Sequence, residues 1–343
     1  MKYGIIGCGN ISRFHFGALE KIDAEITYVA DINMDAARQK AEKYGARVTD
    51  DYNELIASKE VEVVCILAAS GIHRDAALKS IAAGKGVICE KTMMNNAQDA
   101  YGVAKAAKEA GTVFFTSYMK RFFPAARKMK ELTTQIGTVF SANVRTYQCW
   151  GNLYAPGHGW DLDAVVKGYG GAIIKCAASH MLDMTVFLLG RPAGVFADID
   201  YCPNSNFDRR ATALFQYDGP LAVTFEAAAH PLEKIGYERN SWDEFIEING
   251  TEGRLKFYTV MWDHPENNGA LIEYYDNRTG AQTEYRFDAM NPFDAQIAYF
   301  NECFENSEHG SPSETDGYVV DELIDSIYRA NREKKMIGIN WKI

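Results

Sequence analysis

Several things are missing from this chain, and each absence narrows the class of function. No CxxC pair occurs among its seven cysteines, at 8, 65, 89, 149, 176, 202 and 303. A structural zinc site is therefore not expected. An odd, scattered set does not read as a disulfide framework either. Cys65 and Cys89 sit in apolar runs, where cysteine acts as a small hydrophobe. The expectation is a cytoplasmic protein with reduced thiols and no metal. Positive charge is short as well: 36 Lys and Arg stand against 46 Asp and Glu, a net charge of −10. Nucleic acid and anionic membrane both need a basic footprint. No apolar run reaches the ~18–20 residues of a membrane span. The opening "MKYGIIGCGN" has no long apolar core, so no export signal is expected. Repeats, low-complexity linkers and long charge runs are missing too.

What is present is a chain of 343 residues, long enough for two cores. Residues 1–120 alternate short apolar runs with helical patterns. The runs are "KYGIIG" (2–7), "EITYVAD" (25–31), "VEVVCILA" (61–68), "GVICE" (86–90) and "TVFFTSY" (112–118), and helices are expected over 10–22, 34–45, 73–83 and 96–110. Continuous apolar strands between helices predict a parallel sheet covered on both faces, a Rossmann-type doubly wound α/β domain. The rhythm then changes. "FPAARKMKELTTQ" reads as a helix, "GTVFSANVRTYQCW" as a long strand and 151–170 as a loop. A helix follows near 173–189, with Gly190 and Pro192 as stop signals. Short strands with turn signals dominate 193–288, and helices over 292–306 and 317–333 close the chain. Residues 121–343 thus read as a second, α+β domain around a mostly antiparallel sheet.

Three stretches carry chemistry. "GIIGCGNIS" places Gly7, Gly9 and Ser12 between a strand and a helix. Gly7 permits the tight turn, and Gly9 lets a pyrophosphate approach the helix N-terminus, with Asn10 and Ile11 supplying backbone amides. Ser12 departs from the usual third glycine or alanine but is small. Asp31 ends the next strand, 22 residues after Gly9, where an acid takes the ribose hydroxyls of NAD. The competing role for Asp31 is to cap a helix, though Asn33 or Asp35 serves that end equally. Near a 2′-phosphate its carboxylate is repulsive, so NAD is expected over NADP.

The second stretch, "GVICEKTMMNN", ends a strand with Glu90-Lys91. In a parallel sheet that end faces the ligand crevice. A lysine there can take a proton from a substrate hydroxyl while hydride leaves the carbon, or it can simply snorkel at a strand end. The third, "GGAIIKCAASHMLD" (170–183), puts Cys176, His180 and Asp183 on one helical face, with Asp183 one turn from the imidazole it would orient. By itself that face reads equally as a Cys–His dyad, a metal site or packing.

Together "GIIGCGNIS", the Glu90-Lys91 pair, "SYMKRFFPA" (117–125), "WDLD" (160–163) and "GGAIIKCAASHMLDMTVFLLG" (170–190) fall in the order and spacing of one family. The chain resembles the glucose–fructose oxidoreductase/inositol dehydrogenase (Gfo/Idh/MocA) oxidoreductases from residue 1 to about 335. The resemblance implies NAD or NADP as cofactor, and oxidation of a secondary hydroxyl on a sugar, cyclitol or glycoside, or reduction of the ketone. It implies that Lys91 bonds the reacting hydroxyl and that His180 assists the proton transfer, which displaces the Cys–His hydrolase reading. It implies that Glu90 and Lys91 border the cofactor, and that Lys120 and Arg121 lie beside cofactor and substrate. It also implies that the second domain's sheet is large and open, and that a homodimer or homotetramer forms through it. Three positions depart from the family pattern: Thr92 replaces a proline, Met119 an asparagine and Cys176 an aspartate. The last change leaves open the polar partner on the helix face.

Residues 145–170 intersperse Trp150, Tyr154, Trp160 and Tyr169 with glycines, a composition that suits recognition of a sugar face or a tucked loop. Trp150, Trp160 and Cys176 are expected to line the substrate site with Lys91, Lys120, Arg121 and His180, whereas His158 reads as a solvated loop residue. Two alternatives to a net dehydrogenase stay open. One is a redox-neutral enzyme that oxidises, eliminates or epimerises, and reduces again. The other is a non-catalytic dinucleotide sensor.

Overall fold

A computed structural model describes residues 1–156, 161–264 and 267–343, without the side chain of Tyr169. The chain divides into two compact units. In the first, β1 (Lys2–Ile6), α1 (Ser12–Lys21), β2 (Glu25–Ala30), α2 (Met34–Glu42), β3 (Arg47–Thr49), α3 (Tyr52–Ala57), β4 (Val63–Ile66), α4 (His73–Ala82), β5 (Gly86–Cys89), α5 (Ala97–Ala110) and β6 (Phe114–Thr116) follow one another. The strands are parallel and ordered β3-β2-β1-β4-β5-β6. Every residue of β4 is fully buried, as a strand covered on both faces must be. The order reverses between β1 and β4, which opens a crevice at their C-terminal ends.

Two elements here were not predicted. β3 has three residues and lies at the sheet edge, too short for a period to register. α3 has six and is set by a side-chain cap, with the Asn53 amide donating to Asp51 Oδ1 at 2.9 Å. The strand that ends in Glu90 is consequently the fifth rather than the fourth.

The second unit opens with α6 (Pro124–Thr133), whose first residue is the proline that a helix start tolerates. β7 (Val139–Cys149), α7 (Leu162–Tyr169) and α8 (Ser179–Leu189) come next. β8 (Gly194–Tyr201), β9 (Asp208–Gln216), β10 (Ala222–His230), β11 (Trp242–Gly250), β12 (Gly253–Tyr258), β13 (Leu271–Asp276) and β14 (Ala281–Arg286) complete the run of strands. With β15 (Ile337–Gly338) they form a nine-stranded sheet ordered β14-β13-β12-β11-β7-β10-β9-β8-β15. Among the described residues its single parallel pair is β7 with β10. Along β7, Ala142, Val144, Thr146 and Gln148 are buried, and α8 packs against this strand. The alternate residues point to the open face, where Arg145 meets Asp243 at 2.9 Å, Arg210 meets Asp198 at 2.8 Å, and Phe196 and Leu214 stay exposed.

The expected loop over 151–170 contains α7. Asp161 caps it by accepting the Ala164 amide at 3.0 Å, and Gly170 ends it at φ +68°. The many glycines and aromatics around this short helix hid its period. The single helix expected near 173–189 is two pieces, a π-helical segment Ile173–Ala178 followed by α8.

α9 (Pro292–Asn306) and α10 (Glu314–Glu333) correct the domain assignment at the chain end. Residues Pro292–Glu322 and Lys342–Ile343 belong to the first unit, with Met1–Met119, rather than to a second domain running to 343. The reason is apolar burial on the Rossmann side. Phe300 stacks on Phe115 at 4.2 Å, Phe304 meets the same ring edge-on, and Phe293 stacks on Phe14 at 4.8 Å. Phe300→Ala should therefore destabilise the first unit by about 3–5 kcal/mol, the cost of emptying an aromatic core site. Urea unfolding followed through this unit checks it; an unchanged midpoint would put α9 outside that core.

Candidate functional site

The glycine loop is shaped by what glycine alone permits. Gly7 sits at φ +101°, and a Cβ there would lie 2.6 Å from the Ala68 backbone nitrogen. At Gly9 a Cβ would meet nothing within 4 Å, so the space above it is open. α1 then starts without a side-chain cap and without an acid in its first turn. The first amides of a helix lack intrahelical acceptors, so an uncapped, acid-free start with open space in front of it fits an anionic pyrophosphate. Gly9 and Asn10 are exposed, and Ile11 is partly so.

Asp31 is held at the end of β2 by two backbone donors. Cys8 N–H donates to Oδ2 at 2.6 Å and Asn33 N–H to Oδ1 at 2.8 Å. Asn33, not Asp31, caps α2 by accepting the Ala36 amide at 3.2 Å. The capping role is therefore filled elsewhere. Arg38 pairs with Asp35 at 3.0 Å. Burial, and then the Asp31 carboxylate, push the Cys8 thiol up to about 12, so this loop cysteine is a neutral thiol and sets no negative charge against a phosphate. These groups fit the diphosphate and ribose of a dinucleotide.

Glu90 and Lys91 follow β5. Glu90 is buried. Its Oε1 accepts from His15 Nε2 at 2.8 Å and its Oε2 from the Lys91 amide at 3.1 Å. Lys91 is partly exposed, and the Lys91–Thr92 peptide is cis. His73, also buried, brings Nδ1 to 3.1 Å from both the Thr92 and Met93 carbonyls, and Nε2 to 2.9 Å from the Ala68 carbonyl. The Met94 amide donates to Asp321 at 2.7 Å. Glu90 thus supports the Lys91 backbone from the protein side. Neither His15 nor His73 stood out in the sequence, because their partners lie on other elements.

In the second unit, Cys176 lies in the π-helical segment and His180 one turn on in α8; both are partly exposed. Asp183, expected to orient His180, has both carboxylate oxygens on Arg121, at 2.9 Å to Nε and 2.6 Å to Nη2, and it is fully buried. Lys120 is buried on Glu244, whose carboxylate also accepts from Thr146 and Thr259 at 2.9 Å each. Lys120 and Arg121 thus already carry carboxylate partners, which a substrate anion would have to displace. Trp150 donates to Gln148 at 3.3 Å and sets its ring edge-on to Phe207, while Tyr154 lies under Arg209. His158 and Trp160 lie outside the described residues.

The π-helical segment hangs on Asp208, at the start of β9. Its buried carboxylate accepts the Ala172 and Ile174 amides at 2.8 Å each and the Tyr328 hydroxyl at 3.1 Å. A Cβ on Gly171 would lie 2.8 Å from that hydroxyl, which accounts for the second glycine of the pair. Among the described residues no cluster of three or more His, Cys, Asp or Glu side chains is arranged to hold a metal ion.

Comparison with known proteins agrees with this geometry. Residues 1–118 match the profile of the GFO_IDH_MocA oxidoreductase family with its NAD-binding Rossmann fold, and residues 126–256 match the GFO/IDH/MocA C-terminal domain. Inositol 2-dehydrogenase 3 of Saccharopolyspora erythraea is 32% identical over 100% of this chain and 96% of its own length. 1,5-Anhydro-D-fructose reductase of Ensifer adhaerens is 26% identical over 92% and 90%. A levoglucosan dehydrogenase solved with NADH and levoglucosan superposes at TM-score 0.85, with 19% identity over 99% of both chains.

Burial, opposed by those two amides and the Tyr328 hydroxyl, pushes the Asp208 carboxyl up to about 6. The folded chain therefore binds this proton more readily than the unfolded chain between about 4 and 6. The stability contributed is fully present below the unfolded value and is lost as pH rises through about 6. Measured against Asp208→Asn, the wild type should gain stability as pH falls from about 7 to about 4. Urea midpoints across that range check the sign, and a relative loss on acidification would contradict it.

Proposed function

The chain belongs to the Gfo/Idh/MocA family of NAD-binding oxidoreductases, and from that premise we propose that it oxidises a secondary hydroxyl of a sugar, cyclitol or glycoside, or reduces the corresponding ketone. The carrying observation is the position of Lys91, at the C-terminal end of a central parallel strand, in the same unit as the glycine loop and Asp31. NAD, when bound, accepts the hydride that leaves the carbinol carbon. Gly7, Gly9, Asn10 and Ile11 would hold its diphosphate and Asp31 its ribose. The Lys91 amine takes the hydroxyl proton as the carbon–oxygen double bond forms, with His180 assisting. Trp150 and Cys176 border the substrate and set its fit. Lys120 and Arg121 act as anchors, because buried carboxylates already match their charge.

Relatives acting on inositol and anhydrofructose support a polyhydroxylated ring as substrate. Free thiols at Cys8, Cys65, Cys89, Cys149, Cys202 and Cys303 support a cytoplasmic protein. The open face of the nine-stranded sheet, with Phe196 and Leu214 exposed, supports a homodimer or homotetramer, read from the mass in solution.

Two outcomes follow. An aspartate carboxylate ~4 Å from a 2′-phosphate costs up to roughly 4 kcal/mol per charge pair at an effective dielectric of ~20. NAD should therefore be favoured over NADP by at least ~100-fold in kcat/KM; equal use would remove Asp31 from cofactor choice. In a screen of NAD reduction over inositols, aldoses, uronates and glycosides, the wild type should turn over at least one class, and Lys91→Ala should lose ~10²–10⁴ in turnover. NAD affinity, titrated directly, should barely change. Normal turnover in the variant would take Lys91 out of the mechanism. Cofactor absorbance in the purified protein, with no net NADH formed, would favour the redox-neutral reading.

A further inference from the structure

The proposed catalytic amine rises from Glu90–Asn96, a segment without helix or strand, so its place depends on what holds that backbone. The sheet ladder reaches as far as the Glu90 amide, which donates to the Ile66 carbonyl at 2.9 Å. Beyond that bond the Glu90 carboxylate takes over. One oxygen accepts the Lys91 amide at 3.1 Å and the other accepts from His15 Nε2 at 2.8 Å. If the carboxylate turns, both bonds are lost together.

His15 is fully buried on α1, one turn after the glycine loop. Among the described residues its Nδ1 has no hydrogen-bond partner, and its ring stands edge-on to Phe293 at 5.5 Å. A buried N–H without an acceptor is costly. The arrangement therefore places a hydrogen on Nε2, a donor committed to Glu90. A histidine placed only for packing does not need to direct a donor at the carboxylate next to the reacting lysine. The same helix starts at the loop assigned to the pyrophosphate, so α1 reaches both the cofactor loop and, through this pair, the backbone of Lys91.

We propose that His15 is a positioning residue for Lys91: acting through Glu90, it fixes the Lys91 main chain relative to the helix whose start receives the dinucleotide. The inference rests on Lys91 being the catalytic amine. The test compares His15→Leu, which removes the donor, with His15→Gln, whose amide nitrogen reaches the place of Nε2. Three quantities are read: turnover with the best polyol of the screen, NADH affinity by fluorescence titration, and amide hydrogen exchange of peptides spanning 88–95. His15→Leu should lower turnover ~10–100-fold, the scale of a sub-ångström to ångström misplacement of a reacting group. Exchange at Lys91–Met93 should quicken by about tenfold or more as the carboxylate loses its anchor. NADH affinity should stay within about threefold, and His15→Gln should bring turnover and exchange back within about threefold of wild type.

Wild-type turnover and exchange in His15→Leu would overturn the proposal. So would a glutamine variant no better than leucine, since ring shape and not the donor would then matter. If His15→Leu does not fold, His15→Asn, whose amide ends short of Glu90, takes its place against His15→Gln with the same expected contrast. If the wild type oxidises no polyol, exchange alone decides the link from His15 to Lys91, and the failure belongs to the proposed reaction.

Discussion

A carboxylate taken out of water must be supplied with donors, and this protein uses that requirement to hold its functional segments. Glu90, Asp183, Asp208 and Glu244 are all buried. Each collects donors from parts of the chain far apart in sequence: His15 reaches Glu90 across 75 residues, Arg121 reaches Asp183 across 62, and Lys120 reaches Glu244 across 124. Removing one partner of such a pair leaves an uncompensated buried charge, at a cost of about 3–5 kcal/mol. That penalty gives each segment one well-defined place, and the proposed catalytic side chains stand on backbone held in this way. Lys91 follows Glu90 directly, and His180 precedes Asp183 by one turn.

The nature of the donor decides what each carboxylate can do. Arg121 presents a planar fork to Asp183, so the pair resists both rotation and sliding. The two amides on Asp208 belong to the start of the π-helical segment, and burial offsets their pull on its proton. Asp208 is thus sensitive to mild acid. Asp31 is different again: it is partly exposed, and its two backbone donors orient it without enclosing it. A side chain with lone pairs to spare at a strand end is suited to a ligand, whereas one surrounded by protein donors is suited to structure.

The same distinction explains what could be read from the residues in order. The places of the glycine loop, Asp31 and Lys91 in the fold were legible because their context is local: a strand, a turn and a helix start within a few residues. The mostly antiparallel sheet was legible from short strands joined by turn signals. The bond from Arg121 to Asp183 could not be read in this way, because Arg121 is 62 residues away. For Lys120 and Arg121 a substrate carboxylate and a salt bridge stood as equal readings, as nothing near them in sequence announces Glu244 or Asp183. The π-helical segment was read as ordinary helix, since six residues cannot separate its period from 3.6. The end of the chain was misassigned because chain order says nothing of which core Phe293, Phe300 and Phe304 will join.

The π-helical turn also bears on the departure at Cys176. In a π-helical turn backbone bonds run to i+5 and the turn is wider, an arrangement met frequently at functional sites. Here it is enforced from both ends. Asp208 and the Gly170–Gly171 pair hold its start, and the Arg121–Asp183 fork holds the helix that follows. None of these contacts uses the side chain at 176. The backbone around position 176 is therefore anchored by contacts made at other positions. A neutral thiol is a weak hydrogen-bond partner and carries no charge. The substitution of cysteine for aspartate thus changes the chemistry offered by the helix face without disturbing the anchors that build it.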